Sequence, residues 1–474
     1  MVMYEVRPCK TYAMPEETIR KELPNMERTR QWYSSTLFTS LLLVCMVLAP
    51  VSAERLDLEQ NKSLENDLRF EFEGCTYVIP CQESSSDLTA DTIEHPEELL
   101  IPTNVQKYDL VTFDHTTLNK KVRSILPLRI NGTTYDTTLA RMNFEQIDDG
   151  IDSYEGTIQG MKNSNVLITI SDDAIIGSVT LGDETFWIIP VEPHTRTEEK
   201  KSPLHIIYSS KDVKDSEPVM IDEGPLPAPS GVLSSTAVRE ILDKQKTTDR
   251  DQIATVNILL ATDNGFYNFA GTNWKVTAQD IIATANQHFG RDDIKVSLCV
   301  AKYDDSKRYD LSNDQRKTTY PLQMFKDHFP PTYLNDNSAD IALYLGGYDK
   351  NDGIQGLAWG FRAEHIDYRR YAWAQMVKDD AFYTGSQHGR RCISIHELGH
   401  IFDANHENTG GDNQAYSWWD LGLYHRTVMW SNFVEGANTY EFSSDNYHGD
   451  ATHDNAKSIQ AAKLEVKDYA QIRC

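Results

Sequence analysis

Two rhythms of apolar and polar residues divide this chain. From residue 54 to residue 210, short β-rich runs alternate with Asn, Asp and Gly, as in an antiparallel meander. Tyr154-Glu155-Gly156-Thr157-Ile158, Asn165-Val166-Leu167-Ile168-Thr169-Ile170, Ile175-Ile176-Gly177-Ser178-Val179 and Thr185-Phe186-Trp187-Ile188-Ile189 are such runs, and His205-Ile206-Ile207-Tyr208 closes the series. Residues 123–135 predict a hairpin turning at Asn131-Gly132. Residues 211–250 are a Pro/Gly-rich linker around Gly224-Pro225-Leu226-Pro227-Ala228-Pro229, with a short helix expected over 234–246.

From Ile253 onward the rhythm alternates between strand and helix. Strands are expected at 254–262, 294–300, 340–347 and 371–377, and helices at 277–289 (with Thr277 as N-cap), 316–328, 389–402 and 455–466. Strand, helix, strand order implies parallel neighbours joined by right-handed crossovers. Residues 251–474 are therefore expected to be an α/β (α+β) domain on a mostly parallel twisted sheet, behind a β-rich domain at 54–210.

Composition narrows the classes. The chain has 474 residues, a formal net charge of −25, and 40% hydrophobic residues, enough for more than one core. Such acidity offers no basic field for nucleic acid. The apolar run 40–49, the small residues Val51-Ser52-Ala53 and the preceding Arg28 and Arg30 predict a secretory signal peptide over 1–53. Residues 1–25 are too charged for a normal signal, and Met26 makes a better start. With no second long apolar run, the mature chain is expected to lack a stable membrane span and to be secreted. Export makes disulfides plausible: Cys75 with Cys81, and Cys474 with either Cys392 or Cys299.

The densest chemistry is Ile395-His396-Glu397-Leu398-Gly399-His400-Ile401-Phe402-Asp403-Ala404-Asn405-His406. On a helix, His396 and His400 fall on one face about 40° apart, so both imidazoles can reach one metal ion. His406 supplies a third. Three neutral imidazoles leave a position open for water, as in catalytic zinc sites, and Glu397 stands where it can take that water's proton.

This motif resembles the signature of the metzincin zinc metalloproteases, a Met-turn included. The match runs through His396, Glu397, His400, His406 and Met429. Asp403 stands where the family has a helix-ending Gly, and Asp tolerates the positive φ required there. No Tyr follows Met429 by two residues, which favours the reprolysin or ADAM-like branch. The upstream words Tyr154-Glu155-Gly156-Thr157-Ile158 through His205-Ile206-Ile207-Tyr208 are similar to the propeptides of that branch.

The resemblance implies an active-site helix, a C-terminal subdomain, one catalytic Zn2+, and an edge strand that binds extended peptide or protein substrates. Ile354, Gln355, Gly356, Leu357 and Ala358 are the candidates for that strand. It also implies a precursor. No cysteine lies between Cys81 and Cys299, so latency is expected from steric cover of the cleft. A Ca2+ ion near the cleft is a further candidate, although no calcium-loop pattern is present, and the acidic pairs Asp304-Asp305 and Asp379-Asp380 are expected on solvated faces. The alternative reading is an inactive metzincin-like domain that binds zinc for stability and serves adhesion.

Overall fold

A computed structural model describes residues 70–72, 75–79, 101–102, 104–123, 125–130, 133–145, 147–191, 204–214, 218–222, 224–225, 231–243, 251–309, 320–347, 355–377, 386–420 and 422–470. The expected signal peptide over 1–53, Cys81, Asp379-Asp380, Ile354 and Cys474 lie outside these residues. Residues 1–67 form one unit and residues 68–474 another, and all that follows concerns the second.

The β-rich half builds the largest sheet. Its strands are β1 (Phe70–Phe72), β2 (Cys75–Ile79), β3 (Asp109–Phe113), β4 (Ile125–Ile130), β5 (Thr133–Arg141), β6 (Asp152–Ile158), β7 (Ser164–Ile170), β8 (Ile175–Leu181), β9 (Glu184–Val191) and β10 (Leu204–Ser209), with helix α1 (His115–Val122) before β4. Every pairing is antiparallel, in the order β1-β4-β5-β6-β7-β8-β9-β10-β3-β2. Ile130 pairs with Thr133 across the predicted Asn131-Gly132 turn.

The second half begins with β11 (Val219–Met220) and α2 (Ser235–Asp243), then β12 (Ala254–Thr262), α3 (Asn264–Ala270), α4 (Trp274–Phe289) and β13 (Val296–Asp304). It continues through α5 (Tyr320–His328), α6 (Pro331–Asp336), β14 (Ile341–Gly346), β15 (Gly356–Ala358), β16 (Tyr371–Gln375) and α7 (Gln387–Ile401). Hairpin β17 (Ser417–Asp420) and β18 (Leu423–Arg426), then β19 (Asn432–Phe433) and α8 (Asn455–Val466), complete the chain. The mostly parallel pairing expected from the sequence is confined to a five-stranded sheet ordered β13-β12-β14-β16-β15, whose last strand alone is antiparallel. β14 is buried at every position, which is why it reads as an unbroken apolar run.

Local chemistry sets the differences from expectation. Asp263 caps α3 by accepting from the Phe266 N–H, a helix the apolar rhythm did not announce. α4 starts at Trp274, three residues before the expected cap Thr277, whose hydroxyl instead faces the Asn273 carbonyl. α8 spans the predicted residues, and its misfit Lys463 is buried with Nζ donating to the Ile294 carbonyl at 3.0 Å. Cys392 is a buried thiol and Cys299 forms no disulfide, so neither carries the bridge expected with Cys474. No described helix is long and apolar enough to cross a membrane.

The two halves share one core, in which Phe144 and Leu167 pack with residues of β12, α4 and α7. Phe144 offers its carbonyl to the Val300 N–H at 2.6 Å, and Glu145 bridges to Val300, so the β5–β6 connection lies along β13. Arg391 of α7 bonds Asp280 of α4 and Ser178 of β8, with its guanidinium 5.0 Å from the Trp187 ring of β9.

Candidate metal centre and cleft

α7 exists where it does because of its two ends. Ser386 caps the start by accepting from the Gly389 N–H. At the other end the Ala404 N–H returns to the Gly399 carbonyl and the Asp403 N–H to the His400 carbonyl. Asp403, between them, sits at φ 64°. This is a Schellman reversal with Asp in the left-handed position that glycine usually takes. It turns the chain so that His406 comes back to His396 and His400.

The three Nε2 atoms lie 2.8, 3.2 and 3.2 Å apart, and all three rings are buried. Those of His396 and His400 cannot donate to one another, because each ring spends its one N–H at Nδ1. His396 uses Nδ1–H to donate to the Val428 carbonyl at 2.8 Å, and His400 does the same to Ala404 at 2.8 Å. Both Nε2 atoms are thereby left as lone pairs aimed at one point. Burial also pushes the His400 pKa down to about 4, which keeps it neutral.

A fourth candidate ligand arrives from the linker, at a position that no local pattern marks. Asp222 places carboxylate oxygens 2.7 Å from His406, 3.2 Å from His400 and 3.4 Å from His396. Neither Asp222 oxygen has a hydrogen-bond donor. Burial opposes its charge, but His406 and His400 hold the carboxyl well below its usual range. Convergent imidazole nitrogens and a buried carboxylate together have the chemistry of a cation site. Tetrahedral zinc with nitrogen ligands at about 2.0–2.1 Å separates its ligands by about 3.3 Å, and these spacings approach that value. The donor set fits zinc. Among the described residues it is the one group of metal-ligating side chains found. Asp304, expected on a solvated face, is buried and held by Lys302 and Ser306, not by other carboxylates.

Glu397 lies beside the triad, fully buried, and neither of its carboxylate oxygens has a partner. Burial raises its pKa well above the ordinary carboxylate value, and the Asp222 charge adds to this. Gly356 of β15 covers it so closely that a Cβ there would overlap the carboxylate and displace it. β15 is the last strand of its sheet, and it lies over Glu397. Of the other strand candidates, Gln355, Leu357 and Ala358 are buried here.

Met429 is buried beneath α7, where a Cβ on Gly399 would stand 2.5 Å from its sulfur. Its turn supplies the Val428 carbonyl that orients His396.

Residues 219–222 occupy the cleft. β11 pairs antiparallel with β19, and the Ile221 N–H donates to the Ser431 carbonyl at 2.8 Å. On the other side the Ile221 carbonyl accepts from the Gln355 and Gly356 N–H groups at 2.7 and 3.1 Å. The linker therefore spans from the β19 wall to the edge strand and ends on the histidines.

Residues 252–422 match the family model Reprolysin_5, metallo-peptidase family M12. The match contains Glu397 and all three histidines, and it supports a metallopeptidase. No curated protein matches the chain. Among solved structures, one described as a chaperone-substrate complex is 16% identical, covering 46% of this chain and 35% of its own, with TM-score 0.35. The crystal structure of metalloproteinase-II from Bacteroides fragilis is 12% identical, covering 73% of this chain and 89% of its own, with TM-score 0.40. The chain thus spans about a third of the length of the first of these.

Proposed function

We propose that this chain is the precursor of a secreted zinc endopeptidase, with residues 54–210 as its propeptide and residues 251–474 as its catalytic domain. One observation carries the reading: an unpartnered carboxylate, Glu397, is buried between an edge strand and three histidines whose Nε2 atoms converge.

A zinc ion held by His396, His400 and His406 would supply Lewis acidity, lowering the pKa of a water from about 15.7 to about 7. An extended substrate pairs with the free backbone groups of β15, as the Ile221 carbonyl does now. Glu397 takes one proton from the water as its oxygen adds to the scissile carbonyl. The same carboxyl returns that proton to the amide nitrogen, the C–N bond breaks, and a carboxylic acid and an amine form; the acid's remaining proton passes to the amine, so the products leave as carboxylate and ammonium. In the precursor, Asp222 stands where the water must enter and residues 219–222 lie where substrate must lie. Latency then comes from a carboxylate on the metal site as well as from cover of the cleft.

The test is Glu397→Ala in a chain opened by cleavage in the linker. Zinc content should stay at one per chain while hydrolysis of a casein substrate falls by several orders of magnitude. An active Glu397→Ala protein would sink the mechanism. An opened wild type that binds zinc and cuts nothing would favour the adhesion reading.

A further inference from the structure

A glycine at position 403 would make the helix-ending turn without strain, because it has no Cβ to oppose a positive φ. The chain places Asp403 there, and the side chain is fully engaged. Arg362 Nε donates to Asp403 Oδ1 at 2.7 Å, and a second guanidinium nitrogen lies 3.4 Å from Oδ2. The Asp403 carbonyl, turned outward by the reversal, accepts from Asn405 at 3.0 Å, Asn413 at 2.5 Å and Ser458 at 2.9 Å. The aspartate is buried while Arg362 is half-exposed.

Arg362 matters because of where it comes from. It lies in the connection leaving β15, the strand over Glu397. The residue before it, Phe361, donates its N–H to the His400 carbonyl at 2.9 Å. At two successive positions, then, the exit of the edge strand is tied to the metal centre: once to the helix that carries two histidines, once to the turn that delivers the third. The second tie exists only because residue 403 has a carboxylate.

We propose that the Arg362–Asp403 ion pair is a positioning device that sets His406 and the substrate-binding edge strand in one frame and so slows the loss of the metal. The proposal rests on the zinc-peptidase reading. Neither residue touches the metal or the substrate. They act through the turn, as hydrogen-bonded partners behind metal ligands do, whose removal costs about 10- to 100-fold in metal affinity.

The experiment times transfer of zinc from the loaded full-length chain to excess chelator, below the unfolding temperature. It compares wild type, Asp403→Gly, Asp403→Asn, Arg362→Met and the double variant Asp403→Gly/Arg362→Met. Each single change should release zinc about tenfold faster. The double variant should be no faster than the singles, because the two residues act as one unit. Wild-type release from Asp403→Gly would overturn the proposal, since the turn conformation alone would then suffice. Additive effects in the double variant would also overturn it. So would unchanged release with a lowered unfolding midpoint in the zinc-free chains, the signature of a merely structural pair. If Asp403→Gly does not fold, Arg362→Met decides the matter alone. A wild type that takes up no zinc would instead defeat the peptidase reading, an outcome distinct from all of these.

Discussion

Asp222 lies 2.7 Å from His406 through a carboxylate oxygen, although one residue belongs to the Pro/Gly-rich linker and the other to the metal motif. The contact puts a negative charge on the point where a catalytic water would sit. Asp222→Ala should therefore give the uncleaved chain peptidase activity. A quenched fluorescent peptide should be hydrolysed at least about tenfold faster than by wild type, equivalent to about 1.4 kcal/mol of barrier. Unchanged activity at unchanged zinc content would remove Asp222 from any role in latency.

Gly356 and Glu397 are in contact with no room between them. Gly356→Ala should push the carboxylate from its place without touching a metal ligand. Opened Gly356→Ala enzyme should keep its zinc and lose about 100-fold in kcat/KM, the scale of a 1 Å misplacement. Full activity would show that Glu397 works from another position.

Met429 fills space under Gly399, which stands between His396 and His400 in sequence. Met429→Ala should leave a cavity and cost about 2–5 kcal/mol of stability. Denaturant unfolding measures this, and a loss below about 1 kcal/mol would mean that the turn collapses into the space.

Glu145 joins the N-terminal half to β13 beside Gln279. Burial, with the nearby Asp149 charge, raises its pKa to about 7. A carboxyl whose pKa is raised in the folded state favours that state when protonated. Its contribution is complete below the ordinary carboxylate range and fades as pH rises through about 7. Amide protection along 142–151 and β13, corrected for the intrinsic rise of exchange with pH, should thus be greater at pH 5.5 than at pH 8.5, and Glu145→Gln should flatten that difference. A wild-type profile in Glu145→Gln would assign the pH dependence to other groups.

The parts of the site legible in the sequence were those written in local spacing. The His396/His400 pair follows from helix geometry, and α8 follows from an apolar stripe. β14 reads correctly because burial on both faces leaves no polar interruption. Asp403 at positive φ follows from the few residues that tolerate it. What stayed hidden depends on contacts between distant segments. Nothing around Asp222 distinguishes it from other linker acids, because its role comes from β11 pairing with β19. Arg362 reads as an ordinary loop arginine until the fold sets it against Asp403. The closing order of the ten-stranded sheet, with β3 between β10 and β2, skips over most of the half it belongs to. Local rhythm records none of that.

Under the precursor reading proposed above, Arg391 would give maturation a second stage. It sits on the same helix as the histidines, and it is shared between Asp280, Ser178 and Trp187, from both halves of the molecule. Cutting the linker breaks the chain but none of these bonds. A nicked molecule would run as two bands in denaturing gels and as one particle by native size exclusion. Cutting and departure would be separate events, each with its own rate, and the interval between them would set how far an activated enzyme travels before it works.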